Sequence, residues 1–262
     1  MLTIHLLGEF SVTNEGQPVT TFNADRPQAL LAYLLLHRRA PQARRHVAFV
    51  LWPDSSEKQA QSNLRNLLHT LRSGLPEPER FLASDNLTLQ WRADAPCLLD
   101  VAQFEDALRV ASTATEDAAG QALIAAVEAY GGDLLPGNYD DWIAPLREAL
   151  RSHYQDALRR LIQLLEAAGD YRTALRYGGR LLTHDPLDEN SYVQVMRLHA
   201  FSGDRAGVRR VYEQCVASLA RELAVEPSET TRTAYAQLLR IEPSVAPMTA
   251  LPKAPPAPTV PS

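Results

Sequence analysis

Cysteine is scarce: the chain has two in 262 residues, Cys97 and Cys215. Two thiols supply neither a disulfide framework nor a metal-ligand cluster, and their plainest use is as small buried hydrophobes. No apolar run approaches the roughly 20 residues of a membrane span. The start, MLTIHLLGEF, lacks the basic lead and long apolar core of a secretory signal. Together these absences indicate a cytoplasmic protein with no membrane partner. The phosphate-cradling Gly-x-x-x-x-Gly-Lys loop, the Gly-x-Gly-x-x-Gly turn, the His-Glu-x-x-His helix and the Gly-x-Ser-x-Gly elbow are all missing. Seven histidines, His5, His37, His46, His69, His153, His184 and His199, form no pair at ligand spacing. Asp140-Asp141 resembles a carboxylate pair, but adjacent residues on a helix do not face each other. Capping and the helix dipole explain them better. The expectation is no enzyme, with no catalytic, metal or cofactor site.

What remains is an ordinary globular composition, 45% hydrophobic and 22% charged, long enough for two domains. The net charge of −5 argues against nucleic acid as a whole-chain average. Its distribution says otherwise. Residues 1–95 carry +1 and residues 96–262 carry −6, while residues 25–75 alone carry +5. A patch of that size suits a few phosphates and a salt-sensitive, moderate affinity.

The most informative stretch is EKQAQSNLRNLLHTLRSGL, residues 57–75. Leu64, Leu67, Leu68, Leu71 and Leu75 recur at helical spacing and make one apolar stripe. The opposite side carries Gln59, Ser62, Asn66, His69, Thr70 and Ser73, with Arg65 and Arg72 on the flanks. Each of these side chains donates or accepts hydrogen bonds, and only the arginines are charged at neutral pH. That mixture suits base edges and phosphates. A merely solvated face more often carries glutamate and lysine.

Around this stretch the order of elements is regular. Leu2, Ile4, Leu6, Phe10, Val12, Val19 and Phe22 alternate as a small antiparallel sheet, with turns at Gly8 and Asn14-Glu15-Gly16. A helix over 27–37 opens with Pro27 in its first turn. A short helix over 44–51 stops at Trp52-Pro53, and Asp54-Ser55-Ser56 offers caps for the next. FLASDNLTLQW, residues 81–91, reads as two strands around Ser84-Asp85-Asn86. Sheet, three helices and a hairpin make a winged helix-turn-helix over 1–95, whose third helix and hairpin face DNA.

From 96 to 241 the pattern is helix after helix, so the fold class is mainly α: an α+β winged helix followed by an all-α domain. Asp100 is placed to cap a helix built on Val101, Phe104, Ala107, Leu108 and Ala111. A second helix covers 117–130. A turn-rich loop, in which Tyr139 and Trp142 read as core anchors, leads into a long helix ending near Ala168. Gly169-Asp170 recurs as Gly203-Asp204, 34 positions later, with Ala174 matched by Val208 and Tyr177 by Val211. A 34-residue period is that of tetratricopeptide-like repeats, whose helical pairs bury their apolar faces by stacking. Asp185-Pro186 and Glu226-Pro227 close the units 41 residues apart, so the helix ending near Leu223 is extended. Arg205, Arg209 and Arg210 read as a solvated face. Residues 242–262 are a proline-rich linker or disordered tail.

LGEFSV, RPQALLAYLLLH, LW and AQSNLRNLLHTLR resemble the DNA-binding domain of SARP-type bacterial transcriptional regulators, a winged helix similar to that of the OmpR/PhoB response regulators. GDLLPGNYDDWIAPLREAL, GDYRTAL, HDPLDENSYVQVMRLHAFSGDRAGVRRVYEQC and RELAVEPSETTRTAYAQLLR resemble the bacterial transcriptional activator domain that follows it. The resemblance implies a recognition helix in the major groove and a wing on the adjacent minor groove or backbone. Carried over, the candidate DNA contacts are Gln59, Ser62, Arg65, Asn66, His69, Thr70 and Ser73. Arg44 and Arg45, at the start of the second helix, are candidate phosphate contacts. Asp85 and Asn86 mark a wing tip without a basic residue. Larger members of the family continue into an ATPase domain beyond the linker.

Two readings stay open. One is a sequence-specific regulator, in the activator sense, bound to double-stranded promoter DNA, with the helical domain used for self-association as a homodimer, polymerase contact or signal input. The other is a tetratricopeptide-like scaffold or ligand- or peptide-sensing module that does not read DNA.

Overall fold

Alternation in the first strand decides the first layer. In β1 (Leu2–His5), Leu2 and Ile4 point inward and are buried, while His5 faces out. The computed structural model describes residues 1–241, so the proline-rich tail over 242–262 lies outside the described residues. β1 pairs antiparallel with β2 (Ser11–Asn14), setting Ile4 opposite Val12, and β2 pairs with β3 (Gln17–Pro18). Val19 and Phe22, expected in the sheet, lie beyond it. Phe22 sits in a single helical turn, Thr20–Phe22, with its ring in the space beside Gly74. A Cβ at position 74 would stand 2.6 Å from that ring, so only glycine admits it.

Three helices follow: α1 (Asp25–Leu36), α2 (Arg44–Leu51) and α3 (Glu57–Gly74). β4 (Gln42–Ala43) precedes α2 and joins the hairpin of β5 (Leu82–Ser84) and β6 (Thr88–Trp91) as a third antiparallel strand. The leucine stripe is buried throughout, with Leu64, Leu67, Leu68, Leu71 and Leu75 all facing the core. Val47 and Leu51 of α2, Leu30 and Leu34 of α1, and Leu89 and Trp91 of the wing are buried as well. This is the winged helix-turn-helix expected from the order of elements.

The composition change near residue 96 does not end the first sheet. β7 (Cys97–Leu99) returns to pair parallel with β1, setting Leu2 opposite Cys97 and Ile4 opposite Leu99. α4 (Asp100–Thr113) and α5 (Glu116–Ala129) then pack against each other. The loop beyond α5 closes on the end of β1, where Gly8 N–H donates to the Asp133 carbonyl and Leu135 N–H to the Leu6 carbonyl, 2.9 Å each. Asp100 does not cap α4 as expected. Leu99 holds the cap position and makes no side-chain cap bond. The buried Asp100 carboxylate accepts instead from the amides of Leu6 and Leu7, both at 2.8 Å, and from Val101 at 2.7 Å. The chain turns away from β1 at Leu6 and Leu7, so no strand supplies these amides with an acceptor, and Asp100 does.

The chain divides into two compact units, Met1–Leu164 and a second beginning at Leu165. α6 (Ala144–Ala167) spans the division. The second unit holds α7 (Tyr171–His184), α8 (Glu189–Phe201), α9 (Arg205–Leu223) and α10 (Glu229–Leu238). The repeat is visible in its caps. Asp170 accepts from Thr173 N–H at the start of α7, and Asp204 from Gly207 N–H at the start of α9. Gly169 and Gly203 take matching left-handed conformations, φ 75° and 79°, just before them. Ala174, Tyr177, Val208 and Val211 are all buried. α9 is 19 residues against 14 for α7, the extension that the spacing predicts. Cys215 is buried among these helices, and burial pushes its thiol up to about 11. Cys97 is half-buried, with its thiol raised by the same cause.

Asp100→Ala leaves the Leu6 and Leu7 amides buried without an acceptor. The expected loss is about 2–4 kcal/mol of unfolding free energy, read by urea titration. Burial raises the Asp100 carboxyl above its ordinary value, its three amide donors opposing the shift. A raised folded-state pKa gives stability that is full below about 3.9 and is lost as pH rises through the raised value. The gap between wild type and Asp100→Ala therefore narrows as pH climbs out of the acid range.

Candidate DNA-binding interface

α3 forms because Ser56 accepts from Gln59 N–H at 3.3 Å, Glu57 lies in the first turn and the leucine stripe finds a core. Burying that stripe turns the other side outward. Gln59, Arg65, Asn66, His69 and Ser73 are exposed, and Ser62 and Thr70 are half-buried. The residues differ in what their side chains already hold. Thr70 and Ser73 donate to backbone carbonyls within α3, at 3.4 and 2.9 Å, and Gln59 donates to Asn63 Oδ1 at 2.8 Å. Among the described residues, Ser62, Arg65, Asn66 and His69 have no side-chain partner, so their hydrogen-bonding groups face outward unspent.

The two arginines of α2 part company. Arg44 donates to Ser84 Oγ at 3.2 Å and to the Asp85 carbonyl at 3.0 Å, which braces the wing against α2. Burial, then the nearby Arg72 and Arg65, lowers its pKa. Arg45 is exposed and pairs with Glu57 at 2.7 Å. Between α3 and the wing lies a cleft of about 550 Å³, whose lining includes Arg44, Arg45, Gln61, Arg65 and Leu87. Gln61 and Arg72 belong to this side of α3 and were not among the sequence-derived contacts. Their signal was there: Gln61, Arg65 and Arg72 share one flank at helical spacing.

The wing tip is a locked turn. Asp85 accepts from Leu87 N–H at 2.7 Å, Thr88 N–H at 2.6 Å and Thr88 Oγ1 at 3.0 Å. Those bonds hold its carboxyl below the ordinary carboxylate range. Asp85 thus serves its own turn, while Asn86 and Leu87 are exposed.

Several charges counted in the basic patch are neutralised from outside it. Glu105 of α4 pairs with Arg38 at 2.8 Å and Arg39 at 3.1 Å. Asp140 pairs with Arg26 at 3.3 Å, and Arg26 also donates to the Leu51 carbonyl at the end of α2. Asp140 is therefore an ion-pair partner rather than the helix cap read from sequence. It also accepts from Trp142 Nε1, and the Trp142 ring meets Tyr33 edge-on at 5.3 Å. Trp142 anchors its loop as expected. Tyr139 does not: it is 88% exposed. Of the basic residues in this patch, Lys58, Arg65 and Arg72 of α3 and Arg44 of α2 have no ion-pair partner among the described residues. In the second unit, Arg210 pairs with Asp204 and Arg205 donates to the Ile241 carbonyl. No cluster of three or more metal-ligating side chains occurs among the described residues. No helix among them is long and apolar enough to cross a membrane.

Residues 99–239 match the family model of the bacterial transcriptional activator domain. The chain belongs to this family. It is a SARP-type transcriptional regulator. Among solved structures, this regulator is similar to EmbR of Mycobacterium tuberculosis, described in complex with a low affinity phosphopeptide. The two are 22% identical with a TM-score of 0.69, over 92% of this chain and 66% of that one. At that identity the likeness concerns the fold, and the chain spans just under two thirds of its relative's length. No curated protein matches the sequence.

Asp85→Ala removes three bonds from the wing turn and none from the core. Amide exchange at Leu87 and Thr88 is expected to quicken by roughly tenfold or more with the melting temperature nearly unchanged. Unaltered exchange there would show that the turn is held by other means.

Proposed function

We propose that this regulator reads double-stranded promoter DNA with α3 in the major groove and activates transcription. The observation that carries the reading is the outer face of α3. Ser62, Asn66 and His69 stand together on a rigid helix, uncommitted to internal bonds, beside Arg65. Asn matches the N6/N7 edge of adenine, and hydroxyl and imidazole groups are sequence-competent donors and acceptors. Arg65 and Arg72 on the flank suit phosphates, which position a helix without specifying sequence. Gln59, Thr70 and Ser73 have a lesser part in this reading, since their side chains already bond within α3. Arg44 acts chiefly through the wing it braces, and Arg45 reaches a phosphate only by exchanging Glu57 for it. Membership of the activator-domain family supports a role for the helical units in self-association or RNA polymerase contact.

The test is a comparison of cognate and random duplexes. Replacing Asn66 and His69 together by alanine is expected to weaken the cognate complex by roughly 30- to 1,000-fold, from about 1–2 kcal/mol lost at each base contact. Random duplex affinity should change less than threefold. Equal losses on both duplexes would show that these residues do not read sequence.

A further inference from the structure

The end of α2 is held by a side chain from elsewhere in the fold. In a continued helix the Leu51 carbonyl would accept from the Ser55 N–H. Pro53 stops the helix, and the Ser55 N–H donates to the Trp52 carbonyl instead, at 3.2 Å. Arg26, in the first turn of α1, fills the place: its Nη1 donates to the Leu51 carbonyl at 2.8 Å. The same nitrogen donates to both carboxylate oxygens of Asp140 at 3.3 Å. A cation suits this position, because a helix C-terminus is the negative end of the helix dipole. Asp140 is itself fixed. Its N–H donates to Asn138 Oδ1 at 2.8 Å, and Trp142 Nε1 donates to its carboxylate at 3.3 Å. Arg147 of α6 holds the same loop, donating to the carbonyls of Leu134, Leu135 and Asn138 at 2.7 Å each. One guanidinium nitrogen thus joins a loop tied to α6 with the last carbonyl of α2.

Only residues 52–56 separate α2 from α3. A turn that short passes any shift at the end of α2 on to the start of α3. We propose that Arg26 is a positioning residue for sequence reading: clamped by Asp140, it fixes the end of α2 and with it the seating of α3 in the major groove. Arg26 acts through α2 and touches no base. Bonds to base edges are short and directional, so a small displacement of α3 breaks them first. Phosphate contacts carry no sequence information and tolerate it better. Loosening the clamp therefore costs discrimination before it costs general affinity. The inference rests on the reading of α3 as the major-groove element.

The probes are the duplex recovered by selection from a randomised pool with the full chain, and a random duplex, with affinity read by fluorescence anisotropy. Asp140→Ala separates positioning from charge, because the two predict opposite signs. By charge alone, deleting a carboxylate near the interface tightens binding to both duplexes. As the clamp on Arg26, its deletion is expected to weaken the cognate complex about fivefold and leave the random duplex no weaker. Arg26→Ala should weaken the cognate complex about tenfold and the random one less than threefold. The double variant should match Arg26→Ala within about twofold, since Asp140 acts through Arg26. Amide exchange at Trp52 and Ser55 should quicken in Asp140→Ala without DNA present. Cognate binding by Asp140→Ala as tight as wild type or tighter, unchanged exchange at Trp52 and Ser55, or equal losses on both duplexes for Arg26→Ala would each overturn the positioning role and leave the reading of α3 standing. Should Arg26→Ala fail to fold, Asp140→Ala decides by the same two readouts. Absence of any wild-type affinity for duplex at low salt would instead overturn both.

Discussion

Burial of four leucines on α3, and of Leu75 just past its end, is the constraint from which the rest follows. Leu64, Leu67, Leu68, Leu71 and Leu75 are all inside, and no rotation of the helix keeps them there while turning Asn66 or His69 inward. At roughly 1.5–3 kcal/mol for each fully buried leucine, the stripe outweighs every surface interaction that α3 makes. The polar face is therefore outward by necessity. Its chemistry, amide, imidazole and hydroxyl with guanidinium beside them, is what the core leaves available to a partner.

A second constraint shapes the charge of that face. The winged helix is completed by residues that follow it: β7 supplies a strand to its sheet, Asp100 receives two of its amides, and Glu105 and Asp140 take three of its arginines. The acidic partners sit on α1's side of the motif. What has no acidic partner among the described residues, Lys58, Arg65 and Arg72 on α3 and Arg44 on α2, leaves positive charge beside the outer face of α3. A net acidic chain thereby keeps a small basic surface.

Local signals in the sequence predicted the local structure well. The helix over 44–51 has the bounds expected from Trp52-Pro53, and α3 starts at the cap offered by Ser56. The 34-residue repeat returns as equivalent Asp caps at 170 and 204. Elements made by distant partners escaped notice. β7 is three residues long with no alternation, and it becomes a strand only because β1, some 95 positions earlier, accepts it in parallel register. Asp100 reads as a cap because a helix follows it, whereas two of its three donors are the distant amides of Leu6 and Leu7. Tyr139 read as a core anchor because it is aromatic, but the loop places Trp142 against Tyr33 and turns Tyr139 out. At the interface, the composition of the outer face was legible in full. Which side chains are already spent was not, because the bonds of Thr70 and Ser73 to carbonyls within α3 depend on rotamers that spacing does not set.

The claim that α3 presents a free reading face is met most directly by hydroxyl-radical footprinting of side chains, with and without the selected duplex. The account predicts that protection concentrates on α3 around Asn66 and His69. Protection confined to other helices, with His69 as reactive in the complex as in the free protein, would contradict it.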